Sequence, residues 1–113
     1  MLDDLTDRIV AFRDERDWKQ YHSPRNLAAS ISIEAAELLE LFQWSSDESI
    51  ARDVEARRTD LERELADVLI YCLLLAHDTR IDLSEVISAK LAENDAKYPI
   101  EKALGSRSKY TTL

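Results

Sequence analysis

A chain of 113 residues with one glycine and two prolines has little with which to build tight turns, and that scarcity argues for helices. Cysteine is equally scarce. The lone Cys72 lies in the most apolar segment, as a small core residue in a reducing compartment does. Positive charge is short as well: 15 Lys and Arg stand against 23 Asp and Glu, for a net charge of −8. Phosphate-backbone binding needs a basic face and none is visible, so a nucleic-acid polymer is excluded as a partner, while a small metal-complexed phosphate is not. The longest apolar run, after Glu64, is about a dozen residues and too short to span a bilayer, so no membrane partner is expected. The start, Met1-Leu2-Asp3-Asp4, is acidic rather than basic and apolar. It does not read as a signal peptide, and a cytoplasmic protein is expected.

What is present is apolar periodicity. Leu2, Leu5, Ile9 and Phe12 follow the helical period behind a cap at Asp3 or Asp4, and predict a first helix to about Arg16. Trp18, Tyr21 and His22 fall in the connection. Ser23-Pro24 is a capping hydroxyl with proline at the first helical position, and opens a second helix running to about Trp44. A short polar helix is expected over Glu48–Arg57. Thr59 and Glu62 read as a capping box for a long helix ending near Asp78, and Asp82 and Glu85 as another for a helix that stops before Pro99. The expectation is an all-α domain over residues 1–99, shaped like a four-helix bundle, and a polar tail without periodicity over 100–113. At this length one small core is available, so a homodimer or homotetramer is expected to cover the rest.

Four acids stand out against this pattern. Glu34 and Glu37 on the second helix, and Glu64 and Asp67 on the long one, form pairs three residues apart. Asp67 is the only charge between Leu65 and Ala76, where an unpartnered carboxylate costs several kcal/mol. Glu34, Glu37 and Glu40 stack like charges along one helix. Penalties of one sign imply a missing cation. A di-iron bundle would supply Glu-x-x-His on two helices, and neither His22 nor His77 is so placed. Oxygen-only ligands favour Mg2+, with Mn2+ as a substitute, and Mg2+ held by side chains keeps positions that substrate phosphates fill. Trp18 and Trp44, just outside the helix ends, are placed to stack a base, or else to pack. Lys90, Asn94 and Tyr98 share one helical face, which suits phosphate or sugar contact or a bundle seam. His22 is either a ligand group or a loop histidine. A non-catalytic nucleotide-binding or protein-interaction module is the alternative to an enzyme.

The ordered motifs Glu34-Ala-Ala-Glu37-Leu-Leu-Glu40-Leu-Phe-Gln-Trp44 and Glu64-Leu-Ala-Asp67-Val-Leu-Ile-Tyr71 resemble the MazG-like all-α nucleotide pyrophosphohydrolases. With Arg16-Asp17-Trp18, His22-Ser23-Pro24-Arg25-Asn26-Leu27 and the Lys90, Asn94, Tyr98-Pro99 end, the chain is most similar to the dCTP pyrophosphatase branch. The resemblance implies a Mg2+-dependent enzyme cleaving a nucleoside triphosphate between its α and β phosphates. It assigns the metal to Glu34, Glu37, Glu64 and Asp67, and the base to Trp18 and Trp44. It assigns sugar or phosphate contacts to Asn94 and Tyr98, with Lys90 nearby, and Glu37 or Glu40 would activate the water. Ile9 stands where that branch has a base-reading histidine, so base preference is a separate question from the reaction.

Overall fold

In the computed structural model, which describes residues 2–113, six α-helices and two short 3-10 turns follow one another: α1 (Leu2–Asp14), α2 (Pro24–Glu40), α3 (Ile50–Ala56), α4 (Arg58–Asp78), α5 (Leu83–Lys97) and α6 (Ile100–Ala103), with 3-10 turns at Lys19–Tyr21 and Tyr110–Thr112. The all-α expectation holds. The chain forms two compact units, Met1–Arg80 and Ile81–Leu113.

In the first unit α2 packs chiefly on α4, and α1 and α3 add to α4. The buried apolar residues are Leu27, Leu73, Leu74 and Ala76. Ser23 caps α2 as expected, its hydroxyl accepting from the Asn26 N–H at 3.1 Å, with Pro24 at the first position. At its other end α2 stops at Glu40, short of Trp44. There Leu41, Phe42 and Gln43 donate to carbonyls three residues back, so the last turn tightens without a glycine to cap it.

Two more boundaries and one helix face differ from expectation. Asp3 and Asp4 lie inside the first turn of α1, where their charge meets the positive end of the helix dipole. The inward stripe of α1 is also rotated, because Arg13 is 2% exposed while Phe12 is 51% exposed. Phe12 packs instead edge-on to Trp18 at 5.8 Å, under the Arg16 guanidinium at 3.7 Å. Finally, α4 starts at Arg58 with no side-chain cap, so Thr59 is not a cap. Only Arg57 separates α3 from α4, and its N–H and carbonyl both bond to helical neighbours, Asp53 at 3.0 Å and Leu61 at 2.8 Å. The start of α4 is thus joined to α3 by backbone bonds at Arg57 and not by a capping box.

The apolar segment of α4 is not wholly core. Leu65 and Leu69 are 47% and 54% exposed in the single chain, because only one side of α4 meets the other helices of its unit. Among the described residues no helix is long and apolar enough to cross a membrane.

In the second unit Asp82 caps α5, its Oδ1 accepting from the Glu85 N–H at 3.1 Å. Residues 100–113, expected as an irregular tail, carry α6 and the Tyr110–Thr112 turn. Gly105, at φ +75°, turns the chain between them, and the Ser106 N–H closes on the Ala103 carbonyl at 2.9 Å.

Candidate metal centre and active site

The inward stripe of α2 reads Leu27, Ile31, Glu34, Leu38 and Leu41, all buried or half-buried. An acid occupies a position where the period calls for an apolar side chain. On α4 the facing stripe is Leu61, Glu64, Asp67, Tyr71 and Leu74, again with acids in core register. Packing α2 on α4 therefore presses carboxylates together. Oxygens of Glu34, Glu37 and Glu64 all lie within 4.8 Å of one another. Glu34 and Glu64 are half-buried, and Oε2 of each is sealed from solvent with no hydrogen-bond partner.

The electrostatics follow from that geometry. Burial, then Glu37, then the charges of Asp67 and Glu64 push the Glu34 carboxyl up to about 7. Burial and Glu37 push Glu64 in the same direction, with Asp67 adding to the effect. Asp67, half-buried one turn along α4, thus acts on both acids without joining the trio. No Lys or Arg of the described residues bridges to any of the four. Oxygen donors converging on one point, with orphaned lone pairs and no counter-ion, fit a hard divalent cation.

The remaining sequence-predicted residues are spread more widely. Glu40 is exposed, one turn beyond Glu37, and lines a cavity of about 430 Å³ together with Trp44, Ser45, Ser49, Asp53 and Arg57. Trp44 is 90% exposed at its rim. Trp18 sits in the α1–α2 connection against Phe12, and Ile9 is half-buried on α1. His22 lies edge-on to Tyr71 of α4, ring centroids 6.3 Å apart, and its Nδ1 is buried without a hydrogen-bond partner. Desolvation, helped by the nearby Arg13 charge, holds His22 below its usual range and so neutral. Lys90, Asn94 and Tyr98 belong to the second unit, with Lys90 in an ion pair to Glu93 at 3.3 Å.

Two features escaped the sequence reading. Arg13 donates Nη1 and Nη2 to the two oxygens of Asp78, at 2.7 and 2.9 Å, in a pair 2% and 9% exposed. Its signal was register: Arg13 is four residues after Ile9, on the inward side of α1. The second is the serine-lined end of α2, where the hydroxyls of Ser45 and Ser49 donate to Asp53 Oδ2 at 2.6 and 2.8 Å and hold its carboxyl below the usual range. The run Ser45-Ser46-Asp47 reads only as a helix breaker, because serines that serve a distant acid look like any others.

A family model described as the MazG-like family matches residues 29–113, three quarters of the chain, including both carboxylate pairs. The chain belongs to the MazG-like family. This MazG-like chain is 40% identical to dCTP pyrophosphatase 1 of Bos taurus, over 99% of its own length and 68% of the relative's. It is 42% identical to dCTP pyrophosphatase 1 of Homo sapiens, over 99% and 67%. Among solved structures, a pyrophosphatase from Archaeoglobus fulgidus matches with a TM-score of 0.84 at 47% identity, over 86% of this chain and 91% of that one.

Proposed function

We propose that this MazG-like chain, a nucleoside triphosphate pyrophosphohydrolase by family and relatives, cleaves the α–β phosphoanhydride of a (deoxy)nucleoside triphosphate, a dCTP-like or modified pyrimidine nucleotide, to monophosphate and pyrophosphate. The observation that carries the metal half of this reading is the pair of orphaned carboxylate oxygens on Glu34 and Glu64, in core register with no protein cation. Glu34, Glu37, Glu64 and Asp67 would hold Mg2+, or Mn2+ in its place. The ion, when bound, neutralises charge developing on the phosphates. Glu37 or Glu40, both exposed on the same helix as Glu34, orients the attacking water and accepts its proton. Trp18 and Trp44 enclose the base, aided by His22, while Lys90, Asn94 and Tyr98 contact sugar and phosphates. The exposed apolar side of α4 supports a homodimer or homotetramer that completes the four-helix bundle. The role is house-cleaning of the nucleotide pool in the cytoplasm.

The test is a panel of canonical and modified deoxynucleoside triphosphates, with pyrophosphate and orthophosphate assayed separately, with Mg2+ and with EDTA. Pyrophosphate released only in the presence of Mg2+ or Mn2+ is expected. Orthophosphate alone, or turnover indifferent to EDTA, sinks the reading, and nucleotide binding without turnover favours a non-catalytic module.

A further inference from the structure

Tyr98 ends α5 at a place where a helix cannot hold a side chain on both flanks. Its backbone has left the helical region, its N–H still bonds to the Asn94 carbonyl at 2.8 Å, and Pro99 follows, so α5 does not continue past the ring. The neighbour comes from the far end of the chain. Gly105 adopts φ +75°, a conformation that L side chains rarely take, and a Cβ there would meet nothing within 4 Å, so the glycine serves the turn rather than close packing. Beyond that turn, Tyr110 stands edge-on to Tyr98, with centroids 6.1 Å apart and planes at 84°. Tyr110 is fixed in turn. The Lys97 ammonium lies over its ring at 4.8 Å, and Glu93 Oε1 anchors that ammonium at 2.9 Å while also meeting Lys90 Nζ at 3.3 Å. One network therefore joins Lys90, Glu93, Lys97, Tyr110 and Tyr98 within the second unit.

We propose that Tyr110 is a positioning residue: its ring, turned back by Gly105 and held by Lys97, sets the orientation of Tyr98 for the nucleotide. This rests on the reading that Tyr98 contacts substrate. An aromatic pair of this geometry is worth enough to pre-set a rotamer, and a ring held in place before binding costs less to order on binding. The effect belongs to affinity and not to the chemical step.

The experiment measures kcat and KM for Tyr110→Ala, Tyr110→Phe, Tyr98→Ala and the double alanine variant, on the best nucleotide of the panel with saturating Mg2+. Tyr110→Ala should raise KM about three- to tenfold with kcat within about twofold. Tyr110→Phe keeps the ring and should restore the wild-type KM, and the double variant should be no worse than Tyr98→Ala alone. An unchanged KM in Tyr110→Ala beside a raised one in Tyr98→Ala overturns the positioning role and leaves the assignment of Tyr98 standing. An unchanged KM in Tyr98→Ala removes both. A fall in kcat at constant KM, or additive effects in the double variant, also overturns the positioning role.

Discussion

The two ends of α4 treat buried acids in opposite ways. Asp78, near its C-terminus, is as buried as a core residue and fully answered, both oxygens taken by the Arg13 guanidinium. About four turns earlier and on the same face, Glu64 keeps a sealed oxygen with no partner, beside Glu34 in the same condition. One chain therefore both supplies a cation for an acid it buries and withholds one from acids a few turns away. Where the charge is only structural, the counter-ion is written into the sequence. Where it is left open, a proton on Glu34 or, in the function proposed above, a bound cation answers it.

The largest expected effect comes from breaking the open end. Glu34→Gln or Asp67→Asn should lower Mg2+-dependent turnover by about a hundredfold or more, yet leave the metal-free protein as stable as wild type or more so, because an uncompensated charge is gone. Wild type should gain melting temperature with Mg2+ by mass action, and these variants much less. Thermal melts with and without Mg2+, beside one turnover assay, check both halves. A variant that loses stability equally with and without metal while keeping its turnover would assign the acid a structural role instead.

Breaking the answered end should give the reverse pattern. Arg13→Met leaves Asp78 buried and unpaired, and should cost about 3–5 kcal/mol in urea unfolding. The gain in melting temperature from Mg2+ should persist in whatever fraction stays folded. Adding Asp78→Leu to Arg13→Met should recover most of the loss, since an apolar pair of similar volume replaces an ion pair at little net cost.

The smallest effect, and the sharpest contrast, is in pH. The Arg13 guanidinium holds Asp78 below the usual carboxylate range, so the stability it contributes is present above the unfolded value of about 3.9 and is lost as pH falls through and below that value. Glu34, pushed up to about 7 by burial and its acidic neighbours, keeps a proton that the unfolded chain releases near pH 4.3 or so. The metal-free protein should therefore lose stability as pH rises between those two values. Unfolding free energies in EDTA, measured from below about pH 3.9 up to about 7, should show both limbs, with Glu34→Gln removing the upper one and Arg13→Met the lower.

The same contrast explains what could be read from the residues alone. Glu34, Glu64 and Asp67 stand out in the residues because each falls in an apolar stripe, and no Lys or Arg follows Asp67 within one turn to explain it. The caps at Ser23 and Asp82 were legible because a cap is local. Arg13 was not, since its partner is 65 residues away and an arginine beside Asp14 and Arg16 looks like any surface charge. Thr59 misled for a related reason: a capping box is a property of four residues, whereas the start of α4 depends on α3 ending just before it, with only Arg57 between them. The return of Tyr110 to Tyr98 likewise needs the turn at Gly105, which the sequence marks only as its sole glycine.

The span of the Arg13–Asp78 pair also bears on how the protein is made. During synthesis at roughly 5–20 residues per second, about 3–13 s pass between Arg13 and Asp78 leaving the catalytic centre of the ribosome. In that interval α1 is a 13-residue helix, too short to persist alone in water, with a guanidinium that has no carboxylate to meet. The α2–α4 pairing forms from segments nearer in sequence and can close before α1 is held. Within its unit α1 is thus synthesised well before the residue that holds its arginine, and a nascent-chain proteolysis time course should find the peptide bonds around Arg13 cut until residues beyond Asp78 have emerged.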